Sequence, residues 1–358
     1  MSQAKSVAGF GLVAAGRTHV GMRRTENQDA ILITPTVFAV ADGMGGHEAG
    51  ELASELATET LEELTFYTDR TPEHPLPTVL DVIRQVQLAD DRIRDALDAR
   101  GGTTLCALLQ VRGSDTARDS VTAPISVPPW TASFNREQAR TDVMERITPE
   151  MLAEHRRRQD ELNTAVDKPQ PDLLLVNVGD SRGYRLRGGV LQQLTRDHSA
   201  VQEMVDAGQI TELEARNHPH RNLITRALGA GADSQPDTMV LKAHAGDRYL
   251  LCSDGLSGEL TAEHLQALLL SYQDPETAVV ALLQAALEAG GRDNIAVIVI
   301  DVLPAPDPAE LAEAAADRAQ PAPQATDPAP PVPQATDPAP SVPASSESVA
   351  RPEGQDAG

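Results

Sequence analysis

Two rhythms organise the apolar positions of this chain. Short continuous apolar runs, each bounded by turn residues, alternate with longer segments where apolar residues recur every three or four positions. The first short run is VAGFGLVAAG (7–16), read as a first strand. DAILITPTVFAVAD (29–42) predicts two strands around a Thr-Pro-Thr turn. TTLCALLQV (103–111) and DLLLVNVGD (172–180) are apolar almost throughout, which predicts strands buried on both faces or nearly so. RGYRLRGGVLQQLT (182–195) predicts a hairpin turning at Gly188-Gly189. DRYLLCSD (247–254) is another buried strand, and NIAVIVIDVL (294–303) is the last.

The slower rhythm predicts helices. Leu52, Ala53, Leu56, Leu61 and Leu64 form one stripe along 48–65, and Val79, Ile83, Val86, Ile93 and Leu97 another along 77–99. Asp274-Pro275 supplies a cap and a first-position proline for a third helix, which Gly290 closes.

Two segments break the alternation. Residues 112–171 separate two strands, begin polar and turn Pro-rich, with a helix predicted over 149–165. Connections this long are usually functional or disordered, so the segment reads as an insertion. Residues 304–358 hold thirteen of the 26 prolines and repeat PQATDPAP at 323–330 and 333–340. With almost no large apolar side chains they cannot offset their ordering entropy, and they read as a disordered tail. The division that follows is one domain over 1–303 and a tail over 304–358.

Composition sharpens this picture. Hydrophobic residues make up 41% of the 358, enough for a core, but aromatics are only 3%, so aliphatic side chains and alanine must build it. The formal net charge of −23 argues against a nucleic-acid partner, which needs basic surface. It suits cation binding, or simple solubility. Cys106 and Cys252 both lie in apolar strand runs, which implies buried free thiols in a reducing, cytoplasmic compartment rather than a disulfide framework. No run reaches the roughly 18 apolar residues of a membrane span. The run at 7–16 leads straight into a motif at 23–29 and reads as a strand, not a signal segment.

The chemistry concentrates at strand ends. AVADGMGGHEAGE (39–51) sets an acid before a glycine-rich turn, which raises the possibility of a phosphate loop. Gly45 and Gly50 have the P-loop spacing, but Glu51 and Leu52 follow where Lys and Ser or Thr are needed, and Glu48 stands where a dinucleotide fingerprint needs its last glycine. Acids tell more. Asp29 precedes a strand, Asp42 and Asp254 each end one before a glycine, Asp180 ends another, and Asp293 precedes the last. If those strands pack together, five carboxylates converge. Such a cluster repels itself unless cations neutralise it, and oxygen ligands suit the hard ions Mg²⁺ and Mn²⁺. The alternative is that each Asp only forms a turn.

Eight stretches also match a known family in order: RRTENQDA (23–30), VADGMGGHEAGELAS (40–54), GGTTL (101–105), VGDSRGYRL (178–186), LTRDHS (194–199), HRNLITRALG (220–229), LLCSDGLSGEL (250–260) and GGRDNIAVIVI (290–300). The chain resembles the metal-dependent protein phosphatases (PPM, type 2C), particularly the bacterial Ser/Thr branch, over about 10–111 and 172–303. The resemblance implies an α+β fold, a four-layer α-β-β-α sandwich of two antiparallel sheets flanked by helices, with metals at one end. It implies that Asp42 bridges two Mn²⁺ or Mg²⁺ ions, that Gly43 offers its carbonyl to one, and that Asp254 and Asp293 ligate the other. Asp29 would orient water, and Arg24, with Arg23 as the register alternative, would hold the substrate phosphate. Asp180 with Asp254 would form a third metal site, beside a flap at about 200–228.

The implied activity is hydrolysis of phosphoserine and phosphothreonine in proteins, by attack of a hydroxide bridging two divalent ions. The implied partners are phosphoprotein substrates and a Ser/Thr kinase whose action the enzyme opposes, with a monomer as the default. One departure stands out: Met44 follows the Asp-Gly pair where many eukaryotic members carry a histidine acting as general acid. His47 is expected to cap the following helix, and His198 to be a hydrogen-bonded structural residue. A zinc pair at His218 and His220 is disfavoured, since no cysteine or further histidine sits nearby. Rival readings are a catalytically silent member acting as a binding module, which the five acids and the arginine disfavour, and a metal phosphoesterase for small molecules.

Overall fold

The computed structural model describes residues 3–7, 10–68, 76–98, 100–112, 148, 153–154, 157, 172–231 and 234–303. Chain contacts divide the molecule into Met1–Pro308 and Ala309–Gly358. The tail expected over 304–358 and nearly all of the insertion expected over 112–171 lie outside the described residues. Among the described residues no helix is long and apolar enough to cross a membrane.

Among the described residues twelve strands form two sheets. They are β1 (Gln3–Val7), β2 (Phe10–His19), β3 (Asp29–Ile33), β4 (Val37–Met44), β5 (Gly102–Thr103), β6 (Leu105–Val111), β7 (Asp172–Val178), β8 (Arg182–Arg187), β9 (Val190–Gln193), β10 (Asp237–Lys242), β11 (Arg248–Cys252) and β12 (Ile295–Leu303). One sheet runs β1-β2-β12-β11-β8-β9, and the other β10-β7-β6-β4-β3 with β5 beside β4. All the pairings are antiparallel. The β8–β9 hairpin turns at Gly188 and Gly189, whose φ values of 57° and 80° meet the left-handed demand of a two-residue turn.

The helices are α1 (His47–Glu62), continued by a 3₁₀ segment (Glu63–Thr68), α2 (Val79–Leu97), α3 (Ala200–Asp206), α4 (Glu212–Arg216), α5 (Asp254–Ser257), α6 (Ala262–Ser271) and α7 (Pro275–Ala289). Helices α1 and α2 cover the β4 sheet; α6 and α7 cover the β12 sheet. This is the expected four-layer α-β-β-α sandwich.

Three apolar layers hold it together, and they explain the unbroken apolar runs. Along β4, Val37, Ala39 and Ala41 face the α1–α2 layer, while Phe38 and Val40 face the layer between the sheets. Along β12, Ala296, Ile298, Ile300 and Val302 face the other sheet, while Ile295, Val297 and Val299 face the α6–α7 layer. A strand with a core on each side needs apolar residues at every position. The layers are aliphatic, as the composition requires.

Some local expectations shift. The buried stripe of α1 runs through Ala53 and Leu61 as expected, with Ala57 added, and continues to Leu64 in the 3₁₀ segment, while Leu52 is exposed. The buried stripe of α2 includes Val82 and Ala89, with Val86, Ile93 and Leu97 as expected. The cap of α1 is Gly46, with no side-chain capping bond, so the helix begins at His47 rather than being capped by it. Strand β4 runs through Asp42 and Gly43 to Met44, two residues past the end expected at Asp42. Asp274 caps α7 through the Thr277 N–H, with Pro275 at its first position.

Candidate functional site

One end of the sandwich collects the acids. In the β4 sheet, Asp29 opens β3 and stands directly opposite Asp42 across the β3–β4 ladder. Asp180 follows the end of β7. In the facing sheet, Asp254 follows the end of β11 and begins α5, and Asp293 precedes β12. Val297 pairs with Cys252 and Ile295 with His19, so the ends of β2, β11 and β12 lie side by side. All five acids named from the sequence are therefore brought together.

Their electrostatics record the crowding. Burial first, then the charges of Asp29, Asp254, Asp180 and Asp293, hold the Asp42 carboxyl well above its usual range. Burial pushes Asp29 up to about 8 and Asp254 up to about 6. Asp180 is also held well above its usual range, by burial and then by Asp254. Like charges forced together out of water favour protonation unless a cation intervenes.

Backbone geometry fixes where these acids stand. Asp42 is clamped on both sides: its N–H donates to Thr104 Oγ1 (3.0 Å), and its carbonyl accepts from Thr104 N (2.9 Å) and Thr103 Oγ1 (3.0 Å). Thr104 Oγ1 also bonds Ser181 Oγ at 2.7 Å, which ties Asp42 to the turn carrying Asp180. The two Asp-Gly pairs need glycine because foreign backbone comes close. A Cβ on Gly43 would lie 2.0 Å from the Gly50 carbonyl oxygen, and one on Gly255 would lie 1.8 Å from that of Asn294. Gly45 and Gly46, at φ of 118° and 92°, make the turn itself.

Arg24 reaches this cluster. Its Nη2 bonds Asp293 Oδ2 at 2.8 Å, so Arg24 rather than Arg23 is the arginine turned to the acids. The loop that carries it is strapped to Asn294, which is buried. Asn294 accepts from Gln28 N (2.9 Å) and donates to the carbonyls of Val20 (3.0 Å) and Glu26 (2.8 Å).

Several residues that complete the site were not named from the sequence. Ser253 is fully buried and donates from Oγ to Asp29 Oδ2 at 2.7 Å. Thr103, Thr104 and Asn294 position the acids and the arginine loop, and Arg182 pairs with buried Asp197. Each lies within a quoted motif, and Ser253, Arg182 and Asn294 also stand beside an acid or its turn, which was the signal available. His198 is the structural histidine expected: Gly179 N donates to its Nδ1 (3.1 Å), and Nε2 lies 3.3 Å from Asp237 Oδ2. His218 is half-buried and His220 exposed, with ring centres 5.4 Å apart. Helices α3 and α4 follow His198, whose N–H donates to the Gly179 carbonyl, and the chain after them returns to the site end through a Thr103–Leu228 bridge. Cys106 and Cys252 are buried free thiols.

The donor set fits hard divalent cations. All its side-chain donors are carboxylate oxygens, and Asp29 Oδ1 and Asp180 Oδ1 are buried with no hydrogen-bond partner. Among the described residues no three His, Cys, Asp or Glu side chains close into a cage of their own. Ions of the Mg²⁺ and Mn²⁺ class keep several waters and do not require such a cage.

No protein-family model matches the chain. It is 36% identical over 292 residues to the serine/threonine protein phosphatase PstP of Mycobacterium tuberculosis, covering 81% of this chain. The match spans 45% of that protein, so the chain covers less than half the length of this curated relative. Among solved structures, the catalytic domain of PstP in complex with two manganese ions superposes with a TM-score of 0.59 at 31% identity, over 82% of this chain and 98% of that one. The PPM Ser-Thr phosphatase MsPP from Mycobacterium smegmatis, in complex with cacodylate, superposes with a TM-score of 0.58 at 31% identity, over 83% of this chain and 99% of that one.

Proposed function

Because the chain belongs to the metal-dependent protein phosphatases, in their bacterial Ser/Thr branch, we propose that it hydrolyses phosphoserine and phosphothreonine in proteins with Mn²⁺ or Mg²⁺. The observation that carries this reading is the convergence of Asp29, Asp42, Asp180, Asp254 and Asp293 from two sheets onto one end of the sandwich, with Arg24 on Asp293. The two manganese ions of the related PstP catalytic domain support it further.

In this reading Asp42, the Gly43 carbonyl, Asp254 and Asp293 would hold two ions, and Asp180 with Asp254 would hold a third. Bound there, such ions supply Lewis acidity that activates water near neutral pH. The chain's own residues do the rest. Arg24 presents a planar fork of N–H donors that matches phosphate oxygens, and it lies close enough to Asp293 to move between carboxylate and substrate. Asp29 turns one oxygen to Ser253 and keeps Oδ1 free to hold a proton of water. Rigid backbone clamps on Asp42 keep these groups in place, so little reorganisation is needed as charge develops on the phosphoryl oxygens. No nucleophilic side chain is required; the two thiols are buried in strands.

The catalytic domain is assigned to 1–303, with the insertion at about 112–171 and the tail 304–358 outside the chemistry. The partners are phosphoproteins and the Ser/Thr kinase that modifies them, the location is the cytoplasm, and the chain acts as a monomer. The decisive experiment is turnover of a phosphothreonine peptide with Mn²⁺ and with excess EDTA. Turnover is expected only with the metal; turnover that survives EDTA sinks the reading.

A further inference from the structure

Among the described residues, Ser253 is the hydroxyl that bonds both β12 and Asp29. It sits at the end of β11, between Cys252 and Asp254, and is fully buried. Its backbone N–H donates to the Ala296 carbonyl at 3.1 Å, and its Oγ accepts from Ala296 N at 2.9 Å. An amide N–H can only donate. The Oγ lone pair is thus committed to β12, and the hydroxyl proton is left for Asp29 Oδ2 at 2.7 Å. Ser253 directly follows β11 and is bonded to β12 in one sheet, and Asp29 belongs to the other, so this bond crosses the sandwich at the site end.

We propose that Ser253 is a positioning residue that sets the orientation of Asp29. By holding Oδ2, it fixes the carboxylate plane and leaves Oδ1, buried and without a partner, as the oxygen offered to the centre. It also links three acid-bearing segments. Asp254 is its neighbour in the chain, Ala296 lies three residues after Asp293, and Asp29 is its partner across the sheets. The hydroxyl therefore keeps Asp29 in register with Asp42, which stands opposite it, and with the two acids of the facing sheet. Outer groups that orient a metal site commonly set its affinity and its rate. The inference rests on the metal-site reading above.

The test uses the purified full chain and the variants Ser253→Ala, Asp29→Asn, the double variant, and Asp42→Asn as a control. Mn²⁺ affinity is measured by calorimetric titration, and kcat and KM on p-nitrophenyl phosphate. Ser253→Ala is expected to lose roughly ten- to hundredfold in Mn²⁺ affinity or in kcat, with KM changed less than about twofold. The double variant is expected to be no worse than Asp29→Asn, because both changes remove the same contact. Unchanged affinity and unchanged kcat in Ser253→Ala overturn the proposal, as do losses that multiply in the double variant. If Ser253→Ala is insoluble, Ser253→Cys keeps the size with a weaker donor; a partial loss supports the proposal and wild-type values overturn it. The two readings fail separately. Full Mn²⁺ affinity in Asp42→Asn sinks the metal site itself, whereas its loss there beside an unaffected Ser253→Ala sinks only the role of Ser253.

Discussion

Asp29 and Asp42 stand directly opposite one another across the β3–β4 ladder, two acids in one cross-strand pair. Like charges so placed destabilise a sheet, by roughly 0.2–1 kcal/mol in exposed pairs. Here Asp29 is buried and Asp42 half-buried, and Asp254 and Asp293 approach the pair from the other sheet. The arrangement works against the fold unless a cation is bound, and cation binding should therefore stabilise the protein.

Asp42→Asn should abolish metal-dependent hydrolysis of p-nitrophenyl phosphate while leaving circular dichroism unchanged. In EDTA its melting temperature should equal or exceed that of the wild type, since a repelling charge is gone. Mn²⁺ at a hundredfold excess over its Kd should stabilise the wild type by about 2.7 kcal/mol and the variant far less. Retained turnover in the variant, or an equal metal-induced shift, counts against Asp42 as a ligand.

Arg24→Ala should raise KM for a phosphopeptide and weaken inhibition by inorganic phosphate, each by tenfold or more. Arg24→Lys should recover only part of this, because an ammonium lacks the fork that grips two oxygens. Arg23→Ala should change both by less than about threefold. The opposite ranking would move the phosphate role to Arg23.

Gly255→Ala should destabilise the domain by about 1–3 kcal/mol, as overpacking against backbone does. The new Cβ would lie 1.8 Å from the Asn294 carbonyl oxygen and must push β12 and Asp293 away. Urea titration should show the loss, and Mn²⁺ should stabilise this variant less than the wild type. A melting curve identical to wild type would contradict the close approach.

Cys106 and Cys252 should resist a thiol reagent at pH 8 and react only on unfolding. Burial drives both thiols above their usual range, Cys252 to about 12, so the thiolate fraction at pH 8 falls well below that of a free cysteine. Stopped-flow labelling with and without urea decides this; rapid labelling of the native protein would mean that the strands open.

The acids were legible because each stands at the edge of an apolar run, where the hydrophobic pattern stops abruptly. The strands were legible for the same reason, and β4, β6, β7 and β12 fall where the runs lie. Helix faces were less so. Leu52 belongs to the α1 stripe by spacing yet is exposed, while small residues such as Ala53 and Ala57, weak signals in a sequence, meet the sheet. Strand β10 and helices α3 and α4 went unread because β10 is only half-buried and the two helices are short and mostly exposed.

Local pattern alone specified which segments are apolar, where they end, and that acids and glycines sit at those ends, because burial and turn chemistry act on neighbouring residues. Which acids meet depended on folding. Asp29 faces Asp42 through strand register, and Ser253 reaches Asp29 only because two sheets stack, bringing together residues 224 positions apart. Gly43 and Gly255 looked like turn residues, yet each is required because distant backbone crosses it, a steric demand that exists only in the packed molecule.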